Sequence, residues 1–92
     1  MSFQVYILRS CTRGRTYVGQ TEDVGARLAL HNSGSVKSTK PFRPWEVIYL
    51  VEFGSRSEAM RREKWFKSSA GRKRIVELLR GKEGGGLSVS SR

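Results

Sequence analysis

The nine-residue run Trp45-Glu46-Val47-Ile48-Tyr49-Leu50-Val51-Glu52-Phe53 constrains the fold of this chain more than any other segment. β-Branched and aromatic residues dominate it, and its apolar character is nearly continuous instead of alternating. That pattern predicts a central strand with both faces partly covered. The chain has 92 residues, enough for one domain. At that size only about 60–65% of the unfolded surface is hidden on folding, so one modest core is the ceiling.

Two shorter strands precede it. Phe3 to Leu8 is aromatic and β-branched, Ser10 to Arg15 is turn material with Gly14 near its end, and Thr16 to Gly19 reads as a second strand. Together they predict a hairpin with a basic loop. Thr21, ahead of Glu22 and Asp23, suits an N-cap followed by acids in the first helical turn. Val24, Leu28 and His31 then recur at helical spacing, and Gly34 is placed to end that helix. Residues 32–44 read as a loop.

Beyond the long strand, Ser55 and Glu58 form a capping box, with Ser57 an equally good cap. A helix follows from Glu58 to Lys67. Ser68-Ser69-Ala70-Gly71 is expected to break it, and a last helix should run from Arg72 to Leu79. The domain is expected to span residues 1–81, and residues 82–92 lack amphipathic period and read as a disordered tail. The order β-β-α-β-α-α describes a small α+β domain, a three-stranded and mostly antiparallel sheet flanked by helices.

Charge narrows the partners. Lys and Arg number 18 against 8 Asp and Glu, a net +10 with a pI near 10.7. Ordinary solubility needs a net charge of only about 2–8. Such a field attracts polyanions, nucleic acid first among them. Residues 54–82 hold ten Lys or Arg and three Glu, a net +7. Within them Arg72-Lys73-Arg74 at a helix start would make a phosphate seat, joined by free N–H groups. No amphipathic segment suits a membrane surface, and no run approaches the ~18 apolar residues of a span.

Cys11 stands alone, so no intrachain disulfide forms, and one Cys with one His is too little for a thiolate–imidazole zinc site. No charged segment followed by an apolar one opens the chain, so no secretory signal is expected and the cytoplasm is the default location.

Glu63 stands out as an acid inside a basic helix. Ala59, Glu63 and Phe66 share one helix face, and an acid on an apolar stripe is costly without a partner. An ion pair with Arg27 or Lys67, a divalent-metal or acid–base role, and simple exposure all satisfy the spacing. Arg27 and His31 lie four apart and share a face. They fit a surface pair, or a guanidinium and an imidazole offered to a phosphodiester. With Tyr6 and Tyr17 these residues would supply a base, a cation for developing charge and a carboxylate for a metal.

That set resembles the GIY-YIG nuclease superfamily, in particular its short single-domain bacterial branch. The half-motifs are Gln4-Val5-Tyr6 and Tyr17-Val18-Gly19, followed by Arg27 and His31 on the first helix and Glu63 on the next long one. Lys67-Ser68-Ser69-Ala70-Gly71-Arg72 is similar to a segment of the small-protein branch. The resemblance covers Phe3 to about Leu79. It implies hydrolysis of phosphodiesters in DNA, with RNA the second candidate, dependent on Mg²⁺ (or Mn²⁺). Glu63 would bind the metal, Arg27 would stabilise the phosphate, and Tyr6, Tyr17 and His31 would orient and activate the nucleophile. Gly19 would let the substrate approach closely.

Arg13, Arg15, Lys67, Arg72, Lys73 and Arg74 are the candidate phosphate contacts. Two positions depart from the pattern: Gln4 replaces the first glycine, and Ile75 stands where many members carry Asn. A module this small would select nucleic-acid structure more than sequence, in repair or processing, or take specificity from a second copy or an accessory protein. The alternative is a basic nucleic-acid-binding module without catalysis.

Overall fold

The structure, a computed structural model, describes residues 2–83. Strands β1 (Phe3–Ser10) and β2 (Thr16–Thr21) precede helix α1 (Val24–Ser33). A 3₁₀ turn (Lys40–Phe42), strand β3 (Trp45–Phe53) and helices α2 (Arg56–Phe66) and α3 (Ser69–Glu83) follow. The sheet has the order β2-β1-β3 and is antiparallel throughout. The α+β architecture is therefore the expected one.

The position of β3 is not. It forms an edge, and β1 is the central strand. Continuity of apolar residues reports cover above and below a sheet, and says little about how many strands flank it. Tyr49, Val51 and Phe53 pack toward one face and Trp45 and Val47 toward the other. A register shift opposite Ile7 and Leu8 accommodates the extra Ile48.

β1 divides the molecule. Val5 and Ile7 point to the face covered by α2 and α3, where Ala59, Phe66 and Ile75 complete a dry core. Tyr6 and Leu8 point to the opposite face, against Trp45, with Leu28 of α1 and Phe42 of the 3₁₀ turn beside them. Full burial of a large apolar side chain stabilises by about 1.5–3 kcal/mol, and Val5, Ile7, Leu8 and Phe66 are all buried.

The helix ends shift from expectation by a few residues. Asp23, not Thr21, caps α1, accepting the Ala26 N–H at 3.1 Å, and Thr21 Oγ1 instead accepts the Asp23 N–H at 3.1 Å. Aspartate is the stronger cap and stands directly before the helix. Gly34 ends α1 at φ 86°, as its position predicts. Ser55 caps α2, leaving Ser57 inside the helix.

Helix α3 begins three residues before Arg72. Gly71 is buried within it, because a Cβ there would collide with backbone atoms of Trp65 and Phe66. The glycine permits the close approach of α2 and α3; it does not break a helix. The Arg72 N–H is bonded to the Ser68 carbonyl at 2.9 Å, so it is not free for a phosphate as the expected helix start required. Helix α3 continues through Glu83 into the first residues assigned to a tail, the rest of which lies outside the described residues.

Candidate functional site at the edge of the sheet

Tyr6 on the central strand pairs with Gly19 on edge strand β2. A Cβ at position 19 would stand 2.7 Å from the Tyr6 hydroxyl and 3.1 Å from the Tyr17 ring. Gly19 thus makes room for the Tyr6 phenol to lie across β2, a demand of the protein's own side chain beyond the substrate approach inferred from sequence. Tyr17 lies on the same face, its ring centroid 6.2 Å from that of Tyr6 and 4.8 Å from that of His31.

His31 is buried, not offered to solvent. Its Nδ1 is 2.9 Å from Thr39 Oγ1, and the Thr39 carbonyl accepts the Trp45 indole N–H at 3.0 Å. Among the described residues its Nε2 is the one buried side-chain polar atom without a hydrogen-bond partner. Burial, and then the nearby Arg27 cation, hold the imidazole pKa below its usual 6.5, so the ring is neutral at pH 7. Asn32 fixes this corner: its Oδ1 accepts the Trp45 N–H at 2.7 Å and its Nδ2 donates to the Trp45 carbonyl at 3.2 Å. Neither Thr39 nor Asn32 carries a sequence signal beyond membership of a polar loop.

Glu63 comes from α2. Its Oε1 accepts from Gln20 Nε2 at 3.0 Å and its Oε2 pairs with Lys67 at 3.1 Å. Of the partners its spacing allowed, Lys67 is the one observed. Gln20 is a further site residue that sequence reasoning missed; polar side chains on edge strands are ordinary, and only the register places this one against Glu63.

Tyr6 reports how these groups converge. Its pKa is pushed up to about 12, chiefly by burial, then by Tyr17 and Glu63, with Arg27 acting in the opposite direction. Tyr17, Arg27 and Glu63 therefore all lie within electrostatic reach of one phenol, and Arg27 also reaches His31. Arg27 itself is exposed.

The remaining candidates spread outward. Arg13 and Arg15 are exposed on the β1–β2 turn with their guanidinium groups over Phe42, at 5.9 and 4.6 Å. Lys67 closes α2. Arg72, Lys73 and Arg74 are exposed on α3, Arg74 paired with Glu77 at 3.0 Å. Ile75 is buried against Phe66 and Ile7, so this position serves packing. Gln4 ties α1 to the sheet. Its Oε1 accepts the Val24 N–H that opens the helix at 2.9 Å, and its Nε2 donates to Glu52 of β3 at 3.0 Å. Cys11 is exposed and unpaired. No described helix is long and apolar enough to cross a membrane.

Residues 2–75 match the sequence profile of the GIY-YIG catalytic domain. The chain belongs to the GIY-YIG family. Its relatives within the family include UPF0213 proteins. One from Staphylococcus haemolyticus is 48% identical over 60 residues, covering 64% of this chain and 72% of its own. One from Lactococcus lactis is 40% identical over 76 residues, covering 82% of this chain and 72% of its own. The solution NMR structure of a UPF0213 protein from Bacillus halodurans superposes on this GIY-YIG chain with a TM-score of 0.54 at 34% identity, covering all of both chains.

Proposed function

We propose that this GIY-YIG domain binds nucleic acid at the edge of its sheet. The observation that carries the reading is the net +7 of residues 54–82, nine of whose cations, from Arg56 to Arg80, stand exposed along α2 and α3. Among the described residues no group of three or more His, Cys, Asp or Glu could hold a metal, and phosphate contacts from Lys and Arg need none. Fluorescence anisotropy with a labelled oligonucleotide in EDTA tests it. Affinity should fall steeply with salt and survive Glu63→Gln. Absence of binding at 50 mM salt would overturn it.

Hydrolysis of the bound phosphodiester is the second reading, favoured by the electrostatic convergence of Tyr6, Tyr17, Arg27 and Glu63. Mg²⁺ is commonly held by one or two carboxylates plus substrate phosphate oxygens. The single carboxylate of Glu63 fits that role once Lys67 yields Oε2. Such an ion, when bound, would supply Lewis-acid stabilisation of the phosphate oxygens.

The chain's own groups divide the remaining work. Arg27 offsets charge developing on phosphorus oxygens. Ionising Tyr6 at pH 7 from a pKa of about 12 would cost about 7 kcal/mol. Tyr6 accordingly keeps its proton and orients by donating a hydrogen bond. Neutral His31, buried and tilted against the Tyr17 ring, positions that ring from within the face without meeting the attacking water. Incubation with branched, nicked and single-stranded DNA plus Mg²⁺ or Mn²⁺ checks this. Arg27→Ala and Glu63→Gln should each lose roughly a hundredfold or more in rate, and undiminished cleavage in either would sink the assignment.

A further inference from the structure

Three cavities follow one another along β2, each sharing a lining residue with the next. The first, about 570 Å³, is lined by Tyr17 and Val18 of the strand, by Lys67, and by Arg72 and Val76 of α3. The second, about 500 Å³, shares Lys67 with it and adds Gln20, Glu63, Met60 and Lys64. A third, about 320 Å³, shares Gln20 and is walled by Arg27, Arg56, Phe3 and Glu22. The shared residues make them one trough. Its floor is an edge strand of six residues, about 20 Å long at roughly 3.3 Å per residue.

The lining suits a polynucleotide strand. Cations recur along the whole length, Arg72 and Lys67 at one end, Lys64 midway, Arg27 and Arg56 at the other. Between them stand apolar side chains left open, Met60 at 53% exposure and Val76 at 47%. Alternation of cations with apolar seats is what a backbone carrying bases requires. Arg56 is held in place over the Phe3 ring at 5.1 Å. The carboxylates in the lining of these three cavities are Glu22 and Glu63, and the latter is already offset by Lys67.

We infer that this trough is the bed of one extended nucleic-acid strand, centred on Gln20 and Glu63, with Arg56 and Arg72 gripping its two ends. The inference rests on the nucleic-acid-binding reading above and adds the strand's path. Arg56, on the first turn of α2, carried no such expectation. The path also separates Arg72, which lines the trough, from Lys73 and Arg74, which do not.

Charge reversal tests the path by anisotropy with a twelve-residue oligothymidylate in EDTA, where cleavage plays no part. Arg56→Glu and Arg72→Glu should each weaken binding about tenfold at 50 mM salt and lower the salt slope by about 0.7. The double variant should lose about a hundredfold, since the sites are separate. Lys40→Glu, a cation outside the trough, should cost less than about threefold. Equal losses in all three single variants would overturn the trough and leave a diffuse basic surface. Failure of the unaltered protein to bind would overturn the trough and the binding reading together.

Discussion

The two faces of β1 carry opposite investments. Toward α2 and α3 the strand presents Val5 and Ile7 to a dry cluster that includes Phe66 and Ile75. Toward α1 it presents Tyr6 beside Tyr17 and a buried imidazole with one unpartnered nitrogen. A buried polar atom without a partner costs stability. A domain this small tolerates it on one face because the buried cluster on the other is apolar. One face keeps the chain folded, the other carries Tyr6, Tyr17 and His31 at a cost to folding, and Glu63 is added from α2 at the sheet edge.

The comparison breaks most easily at Phe66. Its ring is buried and meets Tyr49 edge-on at 4.9 Å. Phe66→Ala should cost about 3–5 kcal/mol, read from the urea midpoint. Tyr6→Phe, on the opposite face, should cost less than about 1 kcal/mol while removing the hydroxyl. If Tyr6→Phe proves as damaging as Phe66→Ala, the two faces share the load and the contrast fails.

Titration should distinguish the faces again, because the buried groups with displaced pKa values, Tyr6 and His31, lie on the α1 face. Tyr6 has a folded pKa raised to about 12 from 10.0. Between pH 10 and 12 the unfolded state gives up the phenol proton while the folded state keeps it, so stability falls by up to about 3 kcal/mol across that window and Tyr6 costs nothing through titration below pH 10. His31 behaves in the mirror sense. Its folded pKa lies below 6.5, the unfolded state binds more protons on acidification, and stability falls as pH drops below 6.5. Denaturation midpoints across pH 5 to 11 should show both limbs. Tyr6→Phe should remove the alkaline limb and His31→Gln the acid one.

Much of this was legible in the chain itself. The strands and helices follow from apolar spacing, and the five residues of the GIY-YIG pattern could be named because their order is distinctive. What sequence could not supply was depth. Arg27 and His31 share a helix face, yet one is exposed and the other sealed by Trp45 of β3 and by Thr39 from a loop whose path no periodicity encodes. Gly71 read as a breaker because local propensity ignores the neighbouring helix. Gln20 gave no signal because its significance lies in facing Glu63 across 43 positions.

Gly19→Ala sharpens the contrast at intermediate size. The added methyl meets the Tyr6 hydroxyl at 2.7 Å and its ring carbon at 2.9 Å. The phenol, enclosed by its neighbours, must move or the strand must. Overpacking of this kind costs about 1–3 kcal/mol. The loss should be suppressed in the Tyr6→Ala background, where the clash has no partner. A double-mutant cycle on urea midpoints measures that coupling, and additivity would mean that Gly19 serves something other than Tyr6.

The most local expected effect tests how the α1 face is fastened to the sheet. Gln4 stands where the family name places glycine, and its side chain accepts the first N–H of α1 while donating to Glu52. An open helix N-terminus leaves such donors without an intrahelical partner. One hydrogen bond of this kind contributes about 1 kcal/mol. Gln4→Gly restores the family residue and removes both contacts, so stability should fall by about that amount plus the backbone cost of glycine in a strand. The more telling readout is amide exchange. Protection should drop at Val24 and through the first turn of α1, which carries Arg27, and stay unchanged in α2 and α3. Equal loss of protection across all three helices would show that the two faces unfold as one unit, and the division at β1 would then describe composition without describing stability.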